Sequence, residues 1–329
     1  YDEAITYSNG TVVTPTTSSL AQTWMNSGTI NIEGGGASLT NSYEHTTNNA
    51  QIGIVINTGN VSINPYKKGN TYTDTGNAVF VVSAEIDRYE NTESGTGNQQ
   101  TIYNSGNIDV WTKKSTVALL DPGVERPINF VNKKNIKIYG EDSTGLYIKD
   151  KVALSLNFTD ATVKSTPTIA GKFTEYTTPT TYNPLVIYGD KSTGLYVAKG
   201  GSESTRNRDP ENSTITGYFA VDIGDNSNNG NQNAKSLLET AGDSYSNYDI
   251  NSSNKSSEIE NSTGIYSNSG INLQGHQIRI YGNTLGNIGV YPNEDVLLDL
   301  GDGKITLKDG KNNTAVAIKG KGRVDADEI

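Results

Sequence analysis

The chain has 329 residues, no cysteine and a net charge of −10 at pH 7. Its length is ample for a sizeable core. The acidity comes without a basic stripe, since Lys113-Lys114 and Lys133-Lys134 are isolated pairs, and this argues against nucleic acid or anionic lipid as a partner. The lack of cysteine excludes a thiol nucleophile, and no apolar run is long enough to span a bilayer.

Tyr1 opens the chain with neither an initiator Met nor a signal-like segment, so it reads as a piece of a longer protein whose targeting signal and anchor lie outside it. Apolar residues make up 33%, Val and Ile are prominent among them, and there are 35 glycines and one methionine. Branching at Cβ suits a half-buried pleated surface. Gly and Asn suit tight turns. Many short strands joined by many turns are expected, an all-β fold.

In chain order the first recurring unit is Asn-Ser/Thr-Gly followed by an alternating strand. It appears as Asn26-Ser27-Gly28-Thr29-Ile30-Asn31-Ile32, again as Asn57-Thr58-Gly59-Asn60-Val61-Ser62-Ile63, and as Asn104-Ser105-Gly106-Asn107-Ile108-Asp109-Val110. Asn268-Ser269-Gly270-Ile271-Asn272-Leu273 reads as a fourth copy. Alternation puts the aliphatic residues on one side of each strand.

A second unit runs from Ile138-Tyr139-Gly140 through Ser143-Thr144-Gly145-Leu146-Tyr147-Ile148 and recurs from Ile187-Tyr188-Gly189 through Ser192-Thr193-Gly194-Leu195-Tyr196-Val197, an offset of 194 − 145 = 49 residues. Asn261-Ser262-Thr263-Gly264-Ile265-Tyr266 is a truncated copy, and Ile280-Tyr281-Gly282-Asn283 leading to Gly289-Val290-Tyr291 is a degenerate one. Gly53-Ile54-Val55-Ile56 reads as an earlier relative.

Single rungs of short strands cannot bury an apolar side, whereas stacked rungs bury it continuously. The spacing is irregular, 59 − 28 = 31 and then 106 − 59 = 47 residues, which suits a stack with variable loops better than a propeller with its steadier period. A parallel β-helix is therefore expected over residues 1–329. Asn side chains at the turns are expected to ladder from rung to rung. Alternation in the Leu-Tyr-Ile and Leu-Tyr-Val segments places Tyr147 and Tyr196 outside, where stacking along the wall is favoured over ligand contact.

Polar insertions are expected at 87–101, 159–183 and above all 199–260, the last a loop insertion or a subdomain within the β-helix. The last contains a rung-like run from Ile215 to Val221 and a helix-compatible stretch from Ala234 to Glu239. Arg206, Arg208, Tyr218, Tyr245 and Tyr248 form the candidate partner-binding set.

Chemistry finds little support. Gly275-His276-Gln277 beside Arg279-Ile280 echoes polysaccharide-cleaving β-helices, but no paired carboxylates precede it, and His276 reads as a surface turn residue, as does His45. Asp225-Asn226-Ser227-Asn228-Asn229-Gly230 fits the start of a calcium loop, yet its twelfth position is Ser236. Two distant histidines make no zinc site. No cofactor is expected, and no enzymatic activity.

The pairing of Ile-Tyr-Gly-x-x-Ser-Thr-Gly-Leu-Tyr with Asn-Ser-Gly-x-Ile-x-Ile resembles the passenger regions of large type V autotransporter adhesins of the fusobacterial kind. The resemblance covers most of the chain and is weakest over 199–260. It implies a right-handed β-helical stalk, exported through a C-terminal outer-membrane barrel and displayed on a Gram-negative cell surface. It also implies adhesion to host-cell proteins, to glycans or to other bacteria. Self-association, a pure spacer and a polysaccharide-cleaving enzyme are the alternatives. No binding residue carries over from the resemblance, because the matching positions are strand and turn residues.

Overall fold

A computed structural model of the chain describes residues 5–6, 12–13, 22–33, 38–44, 53–68, 71–73, 76–84, 100–121, 127–149, 152–162, 177–198, 214–225, 258–282, 284–293, 296–308 and 310–326. Among them every regular element is a β-strand, and the two long sheets are built from parallel pairs. The fold is a parallel β-helix. Each coil contributes three short strands in turn to three faces, and each strand pairs with its counterpart one coil away.

The third coil shows the plan, with Gln100–Asn104 on the first face, Ile108–Val110 on the second and Thr116–Asp121 on the third. The third face is a separate sheet of eight strands, from Ser38–Glu44 to Thr314–Val316. The first and second faces form one sheet of thirteen, because the long strand Thr214–Ile223 passes through their shared corner. It pairs with Ala153–Asn157 at its start and Leu185–Ile187 at its end. The rung-like run in the 199–260 stretch is thus a rung, and it divides that stretch in two.

Alternation along the strands explains the core. In Ile108–Val110 and Ile136–Ile138 the outer residues are buried and the middle ones, Asp109 and Lys137, are partly exposed. Register stacks Ile108, Ile136 and Leu185 into one inward column. Each such aliphatic side chain contributes about 1.5–3 kcal/mol over leaving it in water. Four of the chain's five phenylalanines meet through the interior, Phe80 to Phe130, Phe130 to Phe158 and Phe158 to Phe219, all edge to face. Burial falls in the last described coil, where Leu307 is 44% and Ile318 53% exposed, because an edge coil is covered on one side only.

Register also sets the coil length. Equivalent residues lie 28 apart from Ser115 to Ser143, 49 to Ser192, 70 to Ser262, 25 to Asn287 and 26 to Asn313. A coil therefore needs about 25 residues, and the 49-residue repeat is one coil carrying an insertion.

Two motifs sit elsewhere than expected. Gly53–Asn57 pairs with Gln22–Asn26 and Gln100–Asn104 on the first face, so it is no relative of the Thr-Gly-Leu-Tyr strands on the third. Asn268-Ser269-Gly270 follows a third-face strand, whereas the other three Asn-x-Gly turns follow first-face strands. A third correction concerns His276. It lies in the strand Gly275–Ile280, is 1% exposed and pairs with Phe219, so it belongs to the core rather than to a surface turn. Its Nδ1 stands 3.0 Å from the Leu300 carbonyl. A carbonyl only accepts, so Nδ1 carries the proton.

Candidate functional site

The corners of the prism carry its polar chemistry. At the first corner, between the first and second faces, Asn26, Asn57, Asn104 and Asn132 stack in register and are buried. Each amide donates to the next, Asn26 Nδ2 to Asn57 Oδ1 at 2.8 Å, Asn57 to Asn104 at 2.7 Å and Asn104 to Asn132 at 2.8 Å. The expected Asn ladder is present. Beside it a Cβ on Gly106 would overlap the Gly59 carbonyl oxygen, which is why this turn needs glycine.

At the second corner, between the second and third faces, the pattern is different. The backbone N–H of Asn77 donates to Ser115 Oγ, that of Ser115 to Ser143 Oγ, that of Ser143 to Ser192 Oγ and that of Ser192 to Ser262 Oγ. Ser262 and Asn287 continue it onto Asn287 Oδ1 and Asn313 Oδ1. The residue before each of the seven members has positive φ, namely Gly76, Lys114, Asp142, Lys191, Asn261, Gly286 and Asn312. Five of these are not glycine, and the stack holds them in a conformation that costs a lone L-residue about 1–2 kcal/mol.

One position earlier in the same coils stand Glu141, Asp190 and Glu260, aligned because Asp142 N–H donates to the Asp190 carbonyl and Lys191 N–H to that of Glu260. Asp190 is 1% exposed, and its Oδ1 accepts the Glu260 N–H at 2.9 Å. Burial first, then the charges of Glu260 and Glu141, push its carboxyl up to about 7, against that hydrogen bond and Lys191. Lys191 Nζ lies 3.4 Å from Glu141.

Outside the second face runs a charged and aromatic stripe. Trp111, Tyr139 and Tyr188 stack with centroids 3.7 and 4.9 Å apart. The Tyr188 hydroxyl donates to Asp225 at 2.9 Å, and Arg279 grips Asp222 with two bonds of 2.7 and 2.6 Å. Burial raises Tyr139 and Tyr188, and nearby carboxylates add to it. Burial also raises Asp109, with Lys137 opposing, and Asp222, with Arg279 opposing.

The insertions leave the stack around this stripe. The 159–183 segment departs from the first corner on an ordered neck, where Thr159 bridges Tyr182 and Asp160 caps the N–H groups of Thr180 and Thr181 at 2.9 and 3.0 Å. Lys133 ties the neck down by donating to the carbonyls of Thr159 and Ala161, both at 2.8 Å. Its burial lowers it to about 8 while Asp160 opposes. The second corner of the next coil closes with 224–225 and 258–262. Residues 226–257 lie between and outside the described residues.

Of the five candidate partner-binding residues, Tyr218 is described. It is half-buried in the long strand with its ring against Gly275, near Tyr182 and Asp302. Burial first, then Tyr218 and Asp302, push Tyr182 up to about 12. Arg206, Arg208, Tyr245 and Tyr248 lie outside the described residues, as do His45, the helix-compatible stretch and the Asp225 loop beyond Asp225 itself. Among the described residues no group of three or more His, Cys, Asp or Glu is placed to hold a metal ion, and no helix is long and apolar enough to cross a membrane. Tyr147 and Tyr196 face outward and join Tyr266 and Tyr291 in a ladder with 5.0, 5.1 and 5.2 Å between centroids.

Fold and corners together define the class, a parallel β-helix with insertions at its corners. No protein-family model, curated protein or solved structure matches the chain.

Proposed function

We propose that the chain is a non-catalytic segment of a bacterial cell-surface adhesin, a rigid stalk whose insertions contact a host-cell protein, a glycan or another bacterium. One observation carries this reading. The second-corner ladder keeps its register across spacings of 49 and then 70 residues, so the coil closes without the extra chain. Two adjacent coils are longer than their neighbours, while the stack that holds them keeps its register. Added length at one level of a rigid scaffold is the arrangement in which loops carry recognition. The resemblance of the repeats to autotransporter passengers supplies the surface location and the outer-membrane barrel of the reading.

Deletion of 226–257 tests it directly. The variant is expected to lose attachment to cells or immobilised glycans by about tenfold, roughly 1.4 kcal/mol, with its far-UV spectrum unchanged. Attachment equal to that of the parent would remove the insertion from the contact. Turnover on acidic or neutral polysaccharides, abolished by Asp222→Asn, would replace the adhesive reading with an enzymatic one.

A further inference from the structure

From Ala78–Ala84 to Thr314–Val316 the seven strands of the third face hold one charged residue, Asp121 at the end of Thr116–Asp121. In Thr144–Ile148, Thr193–Val197 and Thr263–Ser267 the outward residues are Thr144, Tyr147, Thr193, Tyr196, Thr263 and Tyr266, all partly exposed. The next strand presents Ile288 and Tyr291, and the preceding one Thr116 and Leu119. The second face offers a sharp contrast, since its outward column includes Asp109, Lys137, Asp222 and Arg279. In a chain of net charge −10, two copies repel wherever their charged surfaces meet. The Thr and Tyr face is where they can approach without stripping water from an ion, and tyrosine is favoured in protein interfaces.

Its size suits such a contact. Strands about 4.8 Å apart and five residues long at about 3.3 Å each give a projected face of about 550 Å² over seven coils. Two copies would cover about 1,100 Å², just above the roughly 1,000 Å² that a specific interface needs. We propose that the third face is where a second copy of this chain packs, sheet against sheet, with the tyrosine ladder at its centre. The proposal requires only the stack and stands apart from the adhesive reading of the insertions.

Sedimentation equilibrium of the full chain tests it. A weak dimer is expected, with dissociation in the micromolar range (about −8 kcal/mol). Raising salt from about 20 to about 500 mM should tighten it several-fold, because the repulsion of like net charges is screened. The pair Thr193→Lys and Tyr196→Lys should weaken it more than tenfold with an unchanged far-UV spectrum, while Lys137→Glu on the second face should change it less than twofold. If that pair unfolds, Thr144→Lys alone should still weaken the dimer several-fold. A chain that stays monomeric at every attainable concentration overturns the proposal. So does a dimer indifferent to these lysines, one that loosens with salt, or a monomer retained on a neutral polysaccharide through this face.

Discussion

At the first corner the coils are joined amide to amide, and at the second each backbone N–H reaches a side-chain oxygen of the following coil. The difference shows where the 159–183 insertion enters. Asn132 meets no asparagine side chain in register in the fifth coil, and its Nδ2 donates to the backbone carbonyls of Lys134 and Asn183 at 2.6 and 3.2 Å. Asn157 instead donates to Ala161 at the neck. An amide ladder needs the same residue in register on both sides, so an insertion at its corner ends it. The second ladder asks only for an oxygen, which Ser and Asn both supply, and it continues through the 70-residue coil. Side-chain-to-backbone stitching is what lets this fold carry long insertions.

The largest expected break of that comparison lies at the first corner. Gly106→Ala should cost about 3 kcal/mol or more in urea unfolding, since its Cβ meets the backbone of the neighbouring coil. Gly76→Ala at the second corner has open space around it and only its φ of 76° to strain, so about 1 kcal/mol is expected. Similar losses for both would mean that the corners do not differ in tightness.

Asn57→Ala removes a buried link bonded on both sides and should cost about 2–4 kcal/mol, against about 1–2 kcal/mol for Ser192→Ala. Equal costs in matched denaturant melts would contradict the distinction between the ladders.

Asp190 sharpens the comparison through pH. Its carboxyl titrates near 7 in the fold and near the ordinary value of about 3.9 when unfolded, so the folded state holds the proton more tightly. Its contribution is most favourable below about pH 4 and is lost as pH rises through about 7. Asp190→Asn should abolish that slope and be the more stable protein at pH 8. Parallel pH profiles for the two proteins would count against the carboxylate column. The smallest effect is expected from Lys114→Gly, which relieves a φ of 51° on an exposed side chain and should stabilise by up to about 1 kcal/mol in a thermal melt.

Much of this was legible in the residues. Alternation in Ile108-Asp109-Val110 and Ile136-Lys137-Ile138 gives the inward columns, and the Asn-x-Gly turns gave the amide ladder, because both follow from local geometry. Position in the coil is different in kind. Asn268-Ser269-Gly270 has the right letters at the wrong corner, since what places it is the partner across the coil, Val197, whose carbonyl the Asn268 N–H reaches at 2.9 Å. His276 looked exposed for the same reason. Glycine, histidine and glutamine in sequence suggest a turn, and only register with Phe219 and with Gly303 puts the ring inside. The stripe of Asp109, Tyr139, Tyr188 and Asp222 was equally hidden, being assembled from coils that the insertions push far apart in sequence. The period-two pattern of the third face did reveal its tyrosines, though not how sparse charge is along its strands.

Amide hydrogen exchange on the chain lacking 226–257 tests the stack most directly. The deletion leaves seven residues, 224–225 and 258–262, between the strands of the sixth coil, the same number that 281–287 provides in the seventh. Closure of the coil by those seven residues predicts that the amides of Ser143, Ser192 and Ser262 keep the protection they have in the parent. Loss of protection at Ser192 and Ser262 would contradict it and make the insertion part of the stack rather than a passenger on it.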